Sequence, residues 1–499
     1  MYKATTSYQI TFDDFNQSCG MQLDKGNGWC RLADAFDWAG SEALYAKSFP
    51  SRKGHPAFPF RMALGALVIQ KRMRLSDRAL VKAVAENPYY QYFIGMQAFS
   101  SKCPFTYSTL AVFRRRLAQE ILMEVNELFL ATAEPTPEHG GGKRKAKRDE
   151  ATQDKAKQDE PKQDEPNTGT AILDATCSPS NIRYPQDFSL LDEAREKLDL
   201  MIDGLHAALD GGAHRPRTYR RVMRKAYLAV AKAKSRPAKK VRALIYKELC
   251  AVKRNLAFVD AYVARGGSPT AAQMKQLRVI RELYRQQKEM FDGKKHRVDD
   301  RIVSVSQPYV RPIVRGKAKA PVEFGAKYDV SVDEKGHARL EKVSFDAYNE
   351  CQVLQDAVGR YKERTGHYPR KVLVDKIYRT KDNRSWCRER GISMSGRGPG
   401  RPPKAGDAAA RREEHGDDVA RNEVERFFSR EKRTCGAALV VAKLASTTLA
   451  SIALSVLVAN LFGVPLAGGA FFIVYFLDGQ ENTPEWHFCE FSDCGEEVV

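Results

Sequence analysis

Three short stretches carry residue types suited to chemistry on phosphodiesters. One is Arg421-Asn-Glu-Val-Glu-Arg-Phe-Phe-Ser-Arg-Glu-Lys432. At about 100° per residue, Arg421, Glu425 and Lys432 fall within roughly 40° of each other on a helix. A guanidinium, a carboxylate and an ammonium thus share one stripe, and Phe428 on the same stripe predicts that it is half buried. A solvated charged face uses the same residue types, but a carboxylate between two cations beside a core suits metal and phosphate work better. The other two stretches are apolar β-like runs ending in an acid, Ala-Ile-Leu-Asp174 and Lys-Val-Leu-Val-Asp375. The C-terminal edge of a strand is where α/β sheets present ligands, although most strand-terminal aspartates are caps or surface turns. Three carboxylates, Asp174, Asp375 and Glu425, suit a pair of hard divalent cations such as Mg²⁺ or Mn²⁺. Two such ions about 3.5–4 Å apart activate an attacking oxygen and stabilise a leaving one in an in-line displacement. No GxSxG, P-loop or HExxH sequence offers a competing chemistry. Glu423 competes for the third place, but the helical phase of Glu425 and its spacing from both cations fit better.

The chain that must position these groups has 499 residues, a formal charge of +20 and a pI near 9.4. That length allows two to four domains, and that charge points to a polyanionic partner, nucleic acid first. Ribosomal and membrane-surface proteins share the balance. Ten scattered cysteines without a CxxC pair suit a reducing cytoplasm. His487, Cys489 and Cys494 supply three zinc donors without a fourth. No signal peptide is evident at the N-terminus. Residues 444–462 contain no charge and continue apolar to Leu477, long enough for a membrane span. Their Ser, Thr and Asn460, and the charged helix just before them, favour a buried core helix and no membrane attachment.

Residues 1–50 yield no clear element. From Phe60 the pattern is helical, with a second helix capped by Ser76, a break at Asn87-Pro88, and a long helix from Ser108 to Leu130. Arg114, Arg115 and Arg116 lie on that last helix and suit helix-turn-helix-like DNA docking; a small bundle with a solvated basic turn fits equally. An all-α domain is therefore predicted over 1–133. Residues 134–169, with tandem Lys-Gln-Asp-Glu-Pro repeats, read as a disordered linker. A domain over 170–478 follows, with strand-like runs at 170–176, 301–306, 324–332, 338–345 and 371–374, a helix over 351–365, and a basic helical insertion over 188–300. This alternation belongs to an α/β domain, with a tail over 479–499. Between Asp210 and Asp260 the only acid is Glu248, which makes the insertion a candidate phosphate track.

The spacing Arg421-x3-Glu425-x6-Lys432 resembles the signature around the last acid of DDE transposases of bacterial insertion sequences. A Tyr usually stands three residues before the Arg in that family; here the position is Asp418. Leu173-Asp-Ala-Thr with Asn181-Ile-Arg-Tyr-Pro-Gln-Asp-Phe-Ser-Leu-Leu-Asp-Glu-Ala-Arg-Glu is similar to the block around the family's first Asp. Val374-Asp-Lys-Ile-Tyr-Arg, with Asn383 and Arg390-Gly-Ile, is similar to the second. The run from His55 to Phe113 looks like the family's N-terminal DNA-binding domain. The resemblance implies an RNase H-like catalytic domain, Asp174, Asp375 and Glu425 as ligands of two Mg²⁺ or Mn²⁺ ions, and Arg421 and Lys432 on DNA phosphate. It implies a transposase acting on terminal inverted repeats and target DNA, a homodimer on DNA, and a place on the nucleoid in the bacterial cytoplasm. Two departures stand out: the missing Tyr, and a gap of only 50 residues between Asp375 and Glu425, too short for the insertion some relatives carry there. Gly396-Arg-Gly-Pro-Gly-Arg-Pro-Pro-Lys resembles an AT-hook, placing Arg397 and Arg401 as minor-groove candidates; a plain Gly/Pro loop is the alternative. A metal-dependent nuclease without strand transfer and a catalytically inactive DNA-binding repressor are the competing functions.

Overall fold

The computed structural model describes residues 15, 23–49, 56–132, 166–210, 214–314, 322–396 and 408–463. Most of the expected linker, Arg397 and Arg401, the apolar run after 463, and the tail with His487, Cys489 and Cys494 lie outside the described residues.

The N-terminal part is helical: α1 (Gly28–Ala35), α2 (Trp38–Ala46), α3 (Phe60–Met73), α4 (Asp77–Glu86), α5 (Pro88–Phe93), α6 (Thr109–Arg116) and α7 (Gln119–Thr132). Residues 1–50, which showed no pattern in sequence, thus contain α1 and α2. The Ser76 hydroxyl caps α4 as expected, accepting from Ala79 N–H. Asn87 caps α5, with Pro88 in its first turn, where no N–H is needed. The single long helix expected from Ser108 is instead two. Leu117 leaves helical geometry at ψ 75° and its side chain is buried, so packing sets the break without Gly or Pro. The Ser108 hydroxyl does not cap α6; it bonds Thr106 Oγ1 at 2.8 Å.

β1 (Thr170–Pro179) opens the sheet, and four helices follow before the next strand: α8 (Asp187–Asp210), α9 (Arg220–Ala231), α10 (Ala238–Ala264) and α11 (Ala271–Asp292). They bury their own core, built from residues such as Leu191, Leu198, Val252, Val259 and Ile280. The sheet then continues with β2 (Arg311–Val314), β3 (Val322–Asp333) and β4 (Ala338–Ser344). α12 (Leu354–Thr365), β5 (Lys371–Val374), α13 (Lys381–Glu389), β6 (Ser393–Met394), α14 (Ala408–Thr434) and α15 (Ala445–Leu461) complete it. The spatial order is β2-β3-β1-β5-β6, with β4 also paired to β3. β3 runs antiparallel to β1, β2 and β4, whereas β5 is parallel to both β1 and β6.

Residues 301–306, expected as a strand, form none. The Ile302 N–H donates to the Gln286 side chain at 2.9 Å, and Ile302 and Val305 fill the core of the helical insertion. Asp174, expected at a strand end, lies inside β1. β5 pairs only with Thr170–Leu173, so Asp174 is the first residue of β1 beyond the end of its parallel neighbour.

One hydrophobic cluster joins the N-terminal helices to β3, β4, α14 and α15. α15 is buried nearly all round and is the core helix expected from the sequence. No described helix is long and apolar enough to cross a membrane. The junction is fixed by polar groups as well. Asn460 of α15 donates to Asn126 of α7 and to the Ala338 carbonyl, each at 2.7 Å. Asn126 donates to the same carbonyl at 3.1 Å, and the Ala338 N–H donates back to Asn460. Replacing Asn460 by Leu leaves buried partners unpaired and should cost about 2–4 kcal/mol. In urea titrations this should appear as a lower midpoint at unchanged slope.

Candidate active site

Alternation along β1 puts Asp174, Thr176 and Ser178 on one face, and α14 lies across it. Lys432 donates to Thr176 Oγ1 at 2.6 Å, and the Ser178 hydroxyl donates to the Ala437 carbonyl just beyond α14 at 2.8 Å. Arg421 lies between two of the expected acids, 4.0 Å from Asp174 and 3.7 Å from Glu425. Val424, Phe427 and Phe428 hold α14 down on its apolar side. The predicted stripe of Arg421, Glu425 and Lys432 therefore faces one sheet surface. Glu423 points elsewhere and pairs with Arg426 at 2.8 Å.

Asp375 directly follows β5. The register pairs Leu173 with Val374, so Asp174 and Asp375 occupy the next matched positions of adjacent parallel strands. The Asp375 side chain accepts from Lys376 N–H at 2.7 Å. The turn behind it is tied on three sides. Arg379 donates twice to the Val374 carbonyl, at 3.0 and 2.7 Å. Asn383 donates to the Tyr378 carbonyl at 2.8 Å, and the Tyr378 hydroxyl donates to Asp329 of β3 at 2.6 Å.

Burial pushes the Asp174 carboxyl up to about 6, and the charges of Glu350 and Asp375 add to it; the Ala175 N–H and Arg421 work against the shift. Among the described residues no three acids converge closely enough to hold a metal ion. The donor chemistry nonetheless fits hard cations. All three groups offer oxygen, Asp174 sits in a field that disfavours its own charge, and the 58% exposed Glu425 is held by Arg421.

The triple arginine divides. Arg114 is bound within the N-terminal helices, paired with Asp77 and donating to Gln70 at 2.8 Å. Arg116 lies over the Phe49 ring, 4.7 Å from its centroid. Arg115 is exposed.

Sequence reasoning missed a buried layer beneath these groups. Asp329 is fully buried, accepts from the Tyr348 and Tyr378 hydroxyls, and is pushed up to about 6 by burial. Glu431 is also fully buried and accepts from Tyr328 at 2.7 Å. Its helical phase, between Val424 and Phe427 on the apolar side of α14, was a signal available in the sequence. Lys71 of α3 acts on Glu431 electrostatically and donates to Ser451 and Ser455 of α15 at 2.8 and 3.0 Å.

Residues 372–462, which include Asp375, Arg421, Glu425 and Lys432, match the family described as Transposase DDE domain. Residues 17–116 match the family described as Transposase domain (DUF772). Both matches are to transposase families, and together they support an insertion-sequence DDE transposase. An uncharacterised protein of Rhizobium meliloti, ORF8 of the nfe locus, is 31% identical over 112 residues, covering 22% of this chain and 54% of that protein. The chain thus spans about half the length of this curated relative. No solved structure matches the chain.

Burial holds the Glu431 carboxyl up at about 7, against an ordinary 4.5, and draws the Lys71 ammonium down to about 8. Between those two carboxyl values the folded protein keeps a proton that the unfolded chain has released. This group's contribution therefore falls as pH rises from 4.5 to about 7, by about 3 kcal/mol, and is level above. The Glu431→Gln protein lacks that loss. Denaturation at pH 5 and pH 7.5 should show a smaller drop in stability for the variant than for wild type.

Proposed function

We propose that the protein is a DNA transposase that cuts phosphodiesters at the ends of its element and joins the freed ends to target DNA. The sheet supports an RNase H-like reading: β3 is antiparallel to β1, β2 and β4, and the parallel strands β5 and β6 are added on the β1 side. The observation that carries the proposal is the placement of Asp174 and Asp375 at matched positions of β1 and β5, beneath the α14 stripe of Arg421 and Glu425.

Asp174, Asp375 and Glu425 would hold two divalent cations. Bound there, such ions supply Lewis-acid stabilisation and an activated attacking oxygen. The chain's own residues hold and orient the acids. Asp329 and Tyr378 fix the Asp375 turn, and Arg421 offsets the crowded negative charge until substrate arrives. Arg421 and Lys432 lie on the stripe facing the scissile strand and would receive phosphate oxygens. Hydrolysis at an element end breaks a P–O bond and frees a 3′-OH. That hydroxyl then displaces an alkoxide from a target phosphodiester, so one bond is exchanged for another.

The N-terminal helices would recognise the terminal inverted repeats, with Arg115 facing outward while Arg114 and Arg116 brace the scaffold. Two ends require two active sites, and hence a homodimer on nucleoid DNA.

Cleavage of labelled DNA carrying the genomic flanks of the gene, with Mg²⁺ or Mn²⁺, tests the reading. Wild type should nick at a defined end and form joined products. Asp375→Ala and Glu425→Gln should each lower the rate by about 100-fold or more, because removing second-layer groups alone costs 10–100-fold. Glu423→Gln should cut like wild type. Metal-dependent nicking without joined products would identify a nuclease, and tight binding without cleavage a repressor.

A further inference from the structure

Arg220 and Arg224 of α9 pair with Asp203 and Glu196, but six further cations on α9 and α10 have no such compensation among the described residues. Arg221 and Lys225 of α9 and Lys239, Lys240, Lys247 and Lys253 of α10 are all exposed. Among the described residues, none of them lies within 4.0 Å of a carboxylate. The one acid between Asp210 and Asp260, Glu248, is fully buried against Arg195 at 3.4 Å and contributes nothing to that surface. α11 of the same bundle exposes Lys275 and Arg278 but pairs its other cations. Its Arg281 pairs with Asp260, Arg285 with Glu282 and Glu289, and Lys288 with Asp292. A helix that only needs solvation carries both signs, as α11 does.

The pattern on α10 is regular. Lys240 and Lys247 are seven residues apart, and Lys239 and Lys253 are fourteen apart with Tyr246 midway between them. Ala243, Cys250 and Ala257 keep the centre of the stripe low. Two cationic rows thus flank a shallow floor along a helix of 27 residues, about 40 Å long, or about twelve base pairs of duplex. Lysine is a point charge that meets phosphate without demanding geometry, and the stripe has no Asn or Gln to read base edges. Binding of single strands needs a row of stacking aromatics, whereas α10 exposes one large aromatic, Tyr246.

We infer that the α9–α10 face is a sequence-independent docking track for the phosphate backbone of duplex DNA. The inference rests on the reading of the protein as a DNA-acting enzyme but concerns a surface separate from Asp174, Asp375 and Glu425. The face holds duplex flanking the reacting ends.

The test is the salt dependence of binding to random-sequence duplex DNA by the full chain and by a Lys239→Ala, Lys240→Ala, Lys247→Ala, Lys253→Ala variant. All four positions are exposed, so thermal unfolding should be unchanged. Losing four phosphate contacts should reduce the slope of log affinity against log salt by about 3.6. The loss of affinity from 50 to 200 mM salt should then be about 100-fold smaller than for wild type. An unchanged slope would overturn the track, as would a loss confined to RNA with duplex binding intact. Asp375→Ala separates the two readings: it should keep the wild-type slope while losing cleavage. A reduced slope for the lysine variant, with no metal-dependent cleavage by wild type, would uphold the track and sink the transposase chemistry.

Discussion

Glu431 is buried where α14 crosses β3, with the Tyr328 hydroxyl bonded to it and the Lys71 ammonium acting on it from α3. Residues 71, 328 and 431 come from three distant parts of the chain, and each would be costly to bury alone. Together they fix α14 against the sheet and against the N-terminal helices at one point. Helical geometry then carries the constraint along α14. With Glu431 turned inward, Arg421 falls beside Asp174 of β1 and next to Glu425, and Lys432 reaches Thr176. Removing the Glu431 carboxyl would leave the buried Tyr328 hydroxyl without its acceptor, at a cost of about 1–3 kcal/mol.

The second constraint is the crowding of negative charge at the sheet. Asp174 is pushed up by burial, and Glu350 and Asp375 stand close enough to add to the shift. Asp329 lies buried nearby, held by two tyrosine hydroxyls. A sheet optimised only for stability would not gather these groups. Arg421, on the α14 stripe, is the built-in countercharge. The same residue thus balances the charge at the sheet and, in the proposed function, would receive the phosphodiester.

The helical insertion shows a different division of labour. Its buried acids and Arg195 are turned inward as a closed cluster, and α11 pairs its own surface charges. The outer cations of α9 and α10 are left to meet something outside the chain. The shared core of N-terminal helices, β3, β4 and α15 makes the N-terminal helices a structural support for the sheet. Two members of the triple arginine are committed to that support.

Much of this was legible from one sequence because local patterns there agree with the final structure. The strands at 324–332, 338–345 and 371–374, the helix over 351–365, the four inserted helices and the buried α15 all follow from periodicity and Gly/Pro punctuation. The phase of Arg421, Glu425 and Lys432 needed only 100° per residue. Residues 301–306 were misread because a β-branched apolar run looks alike in a strand and in a segment packed on helices, and only the Gln286 side chain decided between them. The break at Leu117 had no local signal, since packing imposed it. Glu350, Asp329 and Lys71 were invisible as partners because their roles depend on neighbours far away in the chain. The sequence by itself determined which groups could share a face and what chemistry they could do. Only the tertiary structure decided which of them meet, because pairing β1 with β5 and seating α14 on Glu431 are long-range events that no local pattern encodes.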